Sequence, residues 1–276
     1  VVGMVSVGGG AKFLVLAEFE RIGGASTIVV FRPQWIQKED GKWEPNKAPV
    51  YLEYEEVNAI LETCPSVQSI SADLDSMEQL VSYKGENKHL RFEGVTPLYQ
   101  EVHNWYTQSG RFLQQDDLDR KDAVCVIGSK VQADLFGRTD AVGQELRIGS
   151  HRFTVIGVMQ EKGNKMATEG WDDRIIIPFT TMEKRFIGEQ KWGFGLFIHA
   201  LNFEKVEQAL AEVKIALRRR HGSEEHFLFF TAKEFLEQAG NVSKVLQVLL
   251  GGVASVALLV GGIGIMNIML VSVTER

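Results

Sequence analysis

The chain has 276 residues, of which 45% are hydrophobic and 24% charged, an ordinary composition that can bury a sizeable core. The net charge of −6 argues against a nucleic-acid-binding protein, whose surface would be basic. Two cysteines, Cys64 and Cys125, are too few for a disulfide framework and lack metal-site spacing; we expect Cys125, in an apolar run, to be a buried small hydrophobe.

The N-terminal part of the chain predicts a strand–helix–strand unit that follows an amphipathic helix. The predicted elements are a helix at Val5–Ile22 that ends at Gly23-Gly24, a buried strand at Ser26–Phe31, a helix near Glu53–Thr63 and a strand from Val67. A polar loop, Gln34–Pro49, carries Trp35 and Trp43. Exposed tryptophans often anchor a partner, so both are candidate partner contacts, with packing on their own domain as the alternative.

The middle of the chain is richer in strand patterns. Strand character alternates over Ser82–Thr96, and the acidic stretch Asp116–Asp119 is typical of a solvated turn or a helix start. Further predicted elements are a strand at Asp122–Ile127, a short helix at Ser129–Phe136, a hairpin of Glu145–Ile148 with Arg152–Met159, and a strand at Arg174–Pro178. These elements predict a β-rich subdomain that is inserted between the first strand–helix–strand unit and a second such unit later in the chain.

A second strand–helix–strand unit follows, with strands at Phe194–Leu201 and His226–Thr231 around a helix at Phe203–Arg219. Asn202 is the expected N-cap and Gly222 follows the helix end. The cationic run Arg218–His221 lies where positive charge complements the helix macrodipole. The two units would each lay a helix on one face of a shared sheet, which gives an α+β fold.

The C-terminal part of the chain predicts a membrane-spanning helix. Val248–Met266 is nineteen residues long with Ser255 as its only polar side chain, and at about 1.5 Å per residue it spans roughly the hydrocarbon core of a bilayer. Small residues recur along it at steps of three and four, which predicts a seam for a facing helix; they are Gly251, Ala254, Ala257, Gly261 and Gly264. Both chain ends look interrupted, and we expect a piece of a longer membrane protein.

The sequence contains no recognisable catalytic motif. It has no P-loop, no H-E-x-x-H and no G-x-S-x-G, so we expect no catalytic, cofactor-binding or metal site in this chain. His221, Glu224, Glu225 and His226 form the closest metal-like group, and we interpret them as a solvated turn.

Several stretches resemble the MacB-type ABC transporter permeases. The segment LLGGVASVALLVGGIGIMNIMLVSVTER is similar to the second transmembrane helix and the following cytoplasmic turn of that family. MVSVGGGAK with the following helix and STIVVFRP is similar to its exit from the first membrane helix. Weaker matches to its periplasmic core domain are Gly110–Phe112, Val124–Gly128, Leu135–Gly137, Val142–Gln144 and Phe153–Val158. The tryptophan-bearing loop Gln34–Pro49 does not match the family pattern.

The resemblance implies a porter-like α/β subdomain in two segments around an inserted β-rich subdomain, on the periplasmic side of a bacterial inner membrane. The implied division is residues 1–22 (end of the first membrane helix and a stalk helix), 23–95 and 191–241 (porter-like segments), 96–190 (insert), 242–273 (membrane helix) and 274–276 (start of a cytoplasmic segment). Thr274, Glu275 and Arg276 are then candidates for coupling to an ATPase.

The same resemblance implies partners and a mechanism. The partners are an ABC ATPase that binds ATP and Mg²⁺, a second permease copy, membrane lipid, and a periplasmic adaptor with an outer-membrane channel. ATP-driven motion would be transmitted across the membrane to export substrate from the periplasmic side. Two alternatives stay open: an FtsX-like, non-transporting regulator of a cell-wall hydrolase, and a single-span membrane-anchored sensor or enzyme.

Overall fold

The structure is a computed structural model that describes residues 24–37, 41–46, 50–162, 170–188 and 194–274. The predicted helix Val5–Ile22 and the residues Glu275 and Arg276 lie outside the described residues. The chain divides into two units, Phe19–Ala232 on the one hand, and Val1–Glu18 with Lys233–Arg276 on the other.

The described strands and helices alternate irregularly along the chain. The strands are β1 (Thr27–Phe31), β2 (Trp35–Gln37), β3 (Trp43–Pro45), β4 (Val67–Tyr83), β5 (Glu86–Val95), β6 (Thr107–Gly110), β7 (Val124–Ile127), β8 (Glu145–Ile148), β9 (His151–Met159), β10 (Arg174–Pro178), β11 (Phe194–Ala200) and β12 (Leu228–Thr231). The helices are α1 (Glu55–Thr63), α2 (Tyr99–Val102), α3 (Gln115–Asp119), α4 (Ser129–Val131), α5 (Phe179–Met182), α6 (Val206–His221) and α7 (Ala232–Thr274). A π turn continues α4 over Gln132–Phe136 and α5 over Glu183–Ile187, and a 3₁₀ turn, Phe203–Lys205, precedes α6.

The first part of the larger unit is a split strand–helix–strand fold. Its strands are ordered β12-β1-β11-β4 and pair antiparallel throughout. Helix α1 connects β1 to β4 and α6 connects β11 to β12, which is the ferredoxin-like arrangement. The two helices contact each other and the sheet, and the side chains buried between them include Val57, Ile60, Val213 and Leu217. We call this part the ferredoxin-like half.

The second part is a closed ring of strands. β4 pairs with β5, β5 with β10, β10 with β7, β7 with β9, β9 with β8, and β8 again with β4. Closure leaves no free edge in the ring, and β6 adds to it outside, beside β9. We call this part the barrel half.

Strand β4 belongs to both halves. Its residues 67–74 pair with β11 and its residues 73–83 pair with β5, so one strand of 17 residues runs from the ferredoxin-like sheet into the ring. A break in the register between Leu74 and Met77 marks the passage. Because the backbone is continuous and hydrogen-bonded on both sides of the break, the halves are connected by sheet rather than by a linker.

The predicted α+β fold with an inserted β-rich part is confirmed. Both strand–helix–strand units, the hairpin of β8 and β9, and the strand β10 lie where the sequence places them. Asn202 accepts a hydrogen bond from the amide of Lys205 at 3.0 Å, and Gly222 ends α6 with a left-handed φ of 81°. The subdomain boundaries given above stay a prediction.

One prediction for the connecting segments is wrong in part, and another gains a turn. Gln34–Pro49 is not only a polar loop, because β2 and β3 pair within it. The strand character predicted over Ser82–Thr96 is confirmed, with a turn inside it: β4 ends at Tyr83, and the chain turns back into β5 through Lys84 and Gly85, both with positive φ (45° and 96°).

The described part of the smaller unit begins at Lys233 and lies entirely within the single long helix α7, Ala232–Thr274. It contains Val248–Met266, whose described large side chains are mostly exposed, for example Val248 at 75% and Leu258 at 79%. Among the described residues, no helix meets the combination of length and hydropathy expected of a bilayer span. The membrane helix predicted over 242–273 is therefore not confirmed and stays a prediction.

Candidate functional site

A buried histidine–aspartate pair lies where the two halves meet. Asp73 lies on β4, and His103 follows α2, with the His103 Nε2 and Asp73 Oδ2 atoms 2.6 Å apart. Both side chains are almost fully buried: that of His103 is 3% exposed and that of Asp73 is 10% exposed. Asp73 also accepts from the hydroxyl of Ser71, and Ser71 accepts from the hydroxyl of Thr96 at 3.2 Å. Among the described residues, His103 Nδ1 has no hydrogen-bond partner.

Aromatic rings enclose this pair from both halves. The His103 ring lies 4.3 Å from Tyr99, 5.5 Å from Trp171 and 4.8 Å from Phe197 of β11, measured between centroids. The ammonium of Lys162 lies 3.9 Å from the Trp171 centroid and donates to the backbone oxygen of His103 at 2.6 Å. The histidine is thus packed against β11 of the ferredoxin-like half and against Trp171, which precedes β10 of the barrel half.

A second polar chain extends the junction into the barrel half. The Tyr99 hydroxyl donates to Glu93 of β5 at 2.6 Å, and Glu93 pairs with Arg174 of β10 at 3.2 Å. Burial raises the pKa of Tyr99 well above its ordinary value of 10, so the hydroxyl keeps the proton that it donates. In this second chain each of the three side chains is hydrogen-bonded to another, and such a buried network favours one arrangement, so it fixes α2 against β5 and β10.

Arg111, the middle residue of the motif Gly110–Phe112, forms a bidentate ion pair. The guanidinium of Arg111 donates to both carboxylate oxygens of Asp117 at 2.7 and 2.8 Å, and Asp117 also accepts the amide of Gln114 at 2.7 Å. The acidic stretch Asp116–Asp119 is therefore a helix start, as expected, but its Asp117 side chain is only 4% exposed. The hydrogen bond from Arg111 lowers the pKa of Asp117 below its ordinary value of 3.8.

We expect Asp117 to make stability depend on acid pH. A carboxyl with a lowered folded-state pKa stabilises the fold fully above its unfolded value, and the contribution is lost as pH falls through the folded pKa. Asp117→Asn should therefore flatten the fall in melting temperature below about pH 4, while near neutral pH it lowers the melting temperature by a constant amount. Asp116→Asn is the matched control, because Asp116 is exposed. An unchanged acid profile in Asp117→Asn would contradict the assignment.

The two predicted partner-contact residues share one face of the β2–β3 hairpin. Trp35 pairs with Pro45 and Trp43 with Gln37, and residues paired or two apart along a strand point to the same side. Both indoles are exposed, Trp35 at 54% and Trp43 at 63%. Hydrogen bonds from Arg32 to Asn46 O (2.7 Å) and from Asn46 to Pro33 O (3.0 Å) fix the base of the hairpin. Their role as partner contacts stays a prediction.

The predicted helix seam and coupling residues belong to α7. The five seam residues all lie within it, and a Cβ added at Gly251, Gly261 or Gly264 would meet no atom within 4 Å. The seam therefore has room for close approach of another backbone, as a small-residue interface requires. Thr274 ends α7, while Glu275 and Arg276 lie outside the described residues. Neither proposed role is tested by the structure.

One member of the predicted solvated turn, His221, has another role. The His221 ring, 12% exposed, lies 2.9 Å through Nε2 from Oε1 of Glu56, and Arg220 donates to the same oxygen at 3.1 Å. Glu56 is fully buried in the first turn of α1. The last turn of α6 thus binds α1 instead of facing solvent only. The described residues contain no cluster suited to a metal ion.

Both cysteines are buried thiols. Cys125 is 0% exposed in β7, which confirms its prediction as a small hydrophobe, and Cys64 caps the end of α1. Burial raises the pKa of both thiols, most strongly for Cys125. Neither is a reactive nucleophile in this arrangement.

The ferredoxin-like half with its inserted ring of strands is a fold that solved extracytoplasmic domains share. A solved structure with the same fold is the periplasmic region of MacB from Actinobacillus actinomycetemcomitans, with a TM-score of 0.64 and 17% identity over 83% of this chain and 98% of that one. Another is the extracellular domain of the noncanonic ABC-type transporter YknZ from Gram-positive bacteria, with a TM-score of 0.59 and 19% identity over 74% and 100%.

The family follows from the sequence relatives. Residues 1–216 match the MacB-like periplasmic core domain family, and the chain belongs to it. Over its whole length the chain is 31% identical to the macrolide export ATP-binding/permease protein MacB of Wolinella succinogenes and 30% identical to the pyoverdine export ATP-binding/permease protein PvdT of Pseudomonas aeruginosa. It spans only 41% and 40% of the length of these relatives. The predicted resemblance to MacB-type permeases is thereby confirmed.

Proposed function

We propose that this chain is the extracytoplasmic domain of an ABC-type export permease, with α7 as a membrane helix that connects it to the cytoplasm. The observation that carries the proposal is the match to export ATP-binding/permease proteins along the whole chain, together with the periplasmic-domain fold. The long apolar stretch of α7, exposed along most of its described side chains, supports a lipid environment.

In this proposal the chain transmits motion and hydrolyses nothing. A separate or fused ABC ATPase binds ATP and Mg²⁺, and its movement reaches α7 through Thr274 and the residues after it. A second permease copy packs on the small-residue seam. The continuous strand β4 and the buried Asp73–His103 junction support the transmission, because they connect the two halves through sheet hydrogen bonds and buried polar contacts. Membrane lipid, a periplasmic adaptor and an outer-membrane channel complete the proposed assembly, and Trp35 and Trp43 are the proposed adaptor contacts.

The test uses the complete protein in its own cells. We expect deletion of its gene to leave at least one compound retained in the cells and depleted from the medium, measured by comparative mass spectrometry of both fractions. The intact gene should restore export, while a gene set whose ATPase has its P-loop lysine replaced by alanine should not. Restoration by the ATPase-deficient set would contradict the proposal. Loss of cell-wall hydrolase activity with unchanged export would favour the FtsX-like alternative.

The location can be tested separately through Glu86, which is exposed at the start of β5. A Glu86→Cys variant should react in intact cells with a membrane-impermeant maleimide if this half lies outside the cytoplasm. The native thiols give a low background because both are buried. Labelling that appears only after the cells are broken would place this half in the cytoplasm and contradict the proposal.

A further inference from the structure

A cleft of about 600 Å³ opens between the ferredoxin-like half and the α5 segment of the larger unit. One wall comes from the segment before α1 and its first residue, Tyr51–Glu55, with Leu74 and Phe194. The other comes from Phe179, Thr180, Glu183, Ile187, Gly188 and Lys121. Its volume falls in the range of small-molecule sites, which often lie where two parts of a fold meet.

The floor of the cleft is apolar and well packed. Leu52, Leu74, Phe179 and Phe194 line it and are each buried to more than nine-tenths. The Phe179 ring packs edge-on against Phe194 with centroids 5.1 Å apart, and Tyr54 lies 5.4 Å from Phe179. Such a floor can accept the apolar body of a ligand without rearranging its own packing.

The rim of the cleft is acidic. Three carboxylates, Glu53, Glu55 and Glu183, face one ammonium, Lys121. Glu55 and Glu183 are exposed and have no ion-pair partner among the described residues. Glu55 is the first residue of α1, and Glu183 lies in the π turn that follows α5. Their charges are therefore available to a ligand, and a cleft lined mainly by one sign of charge concentrates ligands of the opposite sign.

We propose that this cleft binds a small organic cation with an apolar body, held by Glu55 and Glu183 over the aromatic floor. The inference rests on the proposed function in one respect: the cation would be a molecule that the exporter takes up on the extracytoplasmic side. Because one acidic residue lies on α1 and the other follows α5, bound cation attracts the two walls toward each other.

The experiment measures binding of rhodamine 6G, a cationic dye with a large apolar ring system, by fluorescence anisotropy to the full chain in dodecyl maltoside. Fluorescein, an anionic dye with the same xanthene ring, is the charge-reversed probe. We expect rhodamine 6G to bind saturably and to be displaced by tetraphenylphosphonium. The Kd of fluorescein should be at least about 10-fold higher than the Kd of rhodamine 6G.

The decisive variant is Glu55→Gln/Glu183→Gln, which keeps side-chain shape and removes two charges from exposed positions. It should weaken rhodamine 6G binding about 10-fold or more with an unchanged melting temperature. The matched control is Glu62→Gln/Glu86→Gln, which removes two exposed charges outside the cleft and should bind like the parent chain. Equal binding by all three proteins, or equal binding of both dyes, overturns the proposal.

Failure of this inference is distinguishable from failure of the proposed function. ATPase-dependent export with no charge-dependent dye binding removes the cleft assignment and leaves the exporter. Dye binding that depends on Glu55 and Glu183, in a protein whose export phenotype is independent of its ATPase, leaves the cleft and removes the exporter.

Discussion

Gly128→Ala should lower the melting temperature of the larger unit by about 6–12 °C. A Cβ at this position would lie 2.2 Å from the backbone oxygen of Asp172, and that oxygen accepts the amides of Lys130 and Val131. Backbone held by hydrogen bonds cannot withdraw as a flexible side chain would. Overpacking of this kind costs about 3 kcal/mol, and each kcal/mol corresponds to about 2–4 °C for a unit of this size.

The control for this prediction is Gly143→Ala. Gly143 has a φ of 82°, but a Cβ there would meet nothing within 4 Å, so only backbone strain of about 1–2 kcal/mol opposes the substitution. Thermal unfolding followed by circular dichroism in the same detergent compares the two variants. If Gly128→Ala melts no lower than Gly143→Ala, close approach of the backbone is not the reason for glycine at residue 128.

Three glycines in the short stretches that resemble MacB-type permeases lie where the fold leaves no room for a side chain. Gly110, Gly128 and Gly157 come from three of the short stretches that resembled MacB-type permeases, and at each a Cβ would lie within 2.3 Å of a backbone oxygen. Gly110 and Gly157 pair with each other across β6 and β9. A side chain at either position would collide with the backbone of the opposite segment. The motifs therefore mark close contacts that the fold of the barrel half requires.

Local pattern was sufficient for most elements of this fold. The strand–helix–strand units follow from apolar periodicity and capping residues, because these depend on neighbours along the chain. Closure of the ring does not, because β8 must pair with β4, and β4 precedes it by more than sixty residues. No local signal distinguishes the two ends of β4, which pair with different halves.

The candidate site was less accessible to sequence reasoning. Asp73 and His103 lie 30 residues apart, and the strand that carries Asp73 contains other polar residues, so no local signal singles out the pair. The cleft unites residues from three separate segments, so its charge is visible only in the fold. By contrast, Trp35 and Trp43 could be singled out because exposed indoles in a polar loop are unusual in themselves.

Glu56→Ala should reduce the free energy of unfolding by about 3–5 kcal/mol, the typical cost of removing one member of a buried ion pair. Glu56 is fully buried, and its carboxylate accepts hydrogen bonds from Arg220 at 3.1 Å, from His221 at 2.9 Å and from the amide of Glu53. Without the carboxylate, the charge of Arg220 and the backbone amide lose their shared acceptor. Since α1 and α6 meet through this group, the loss acts on the packing of both helices.

A double-mutant cycle with Arg220→Ala tests this assignment directly. We expect the two single changes to be non-additive by about 1 kcal/mol or more, because contacting charged groups couple on that scale. Glu62→Ala on the exposed face of α1 is the matched control and should change stability by no more than about 0.5 kcal/mol. Urea unfolding gives all four corners of the cycle. Additive effects would mean that Glu56 stabilises α1 through its own backbone contact, and that the last turn of α6 contributes only as the positive complement to its helix dipole.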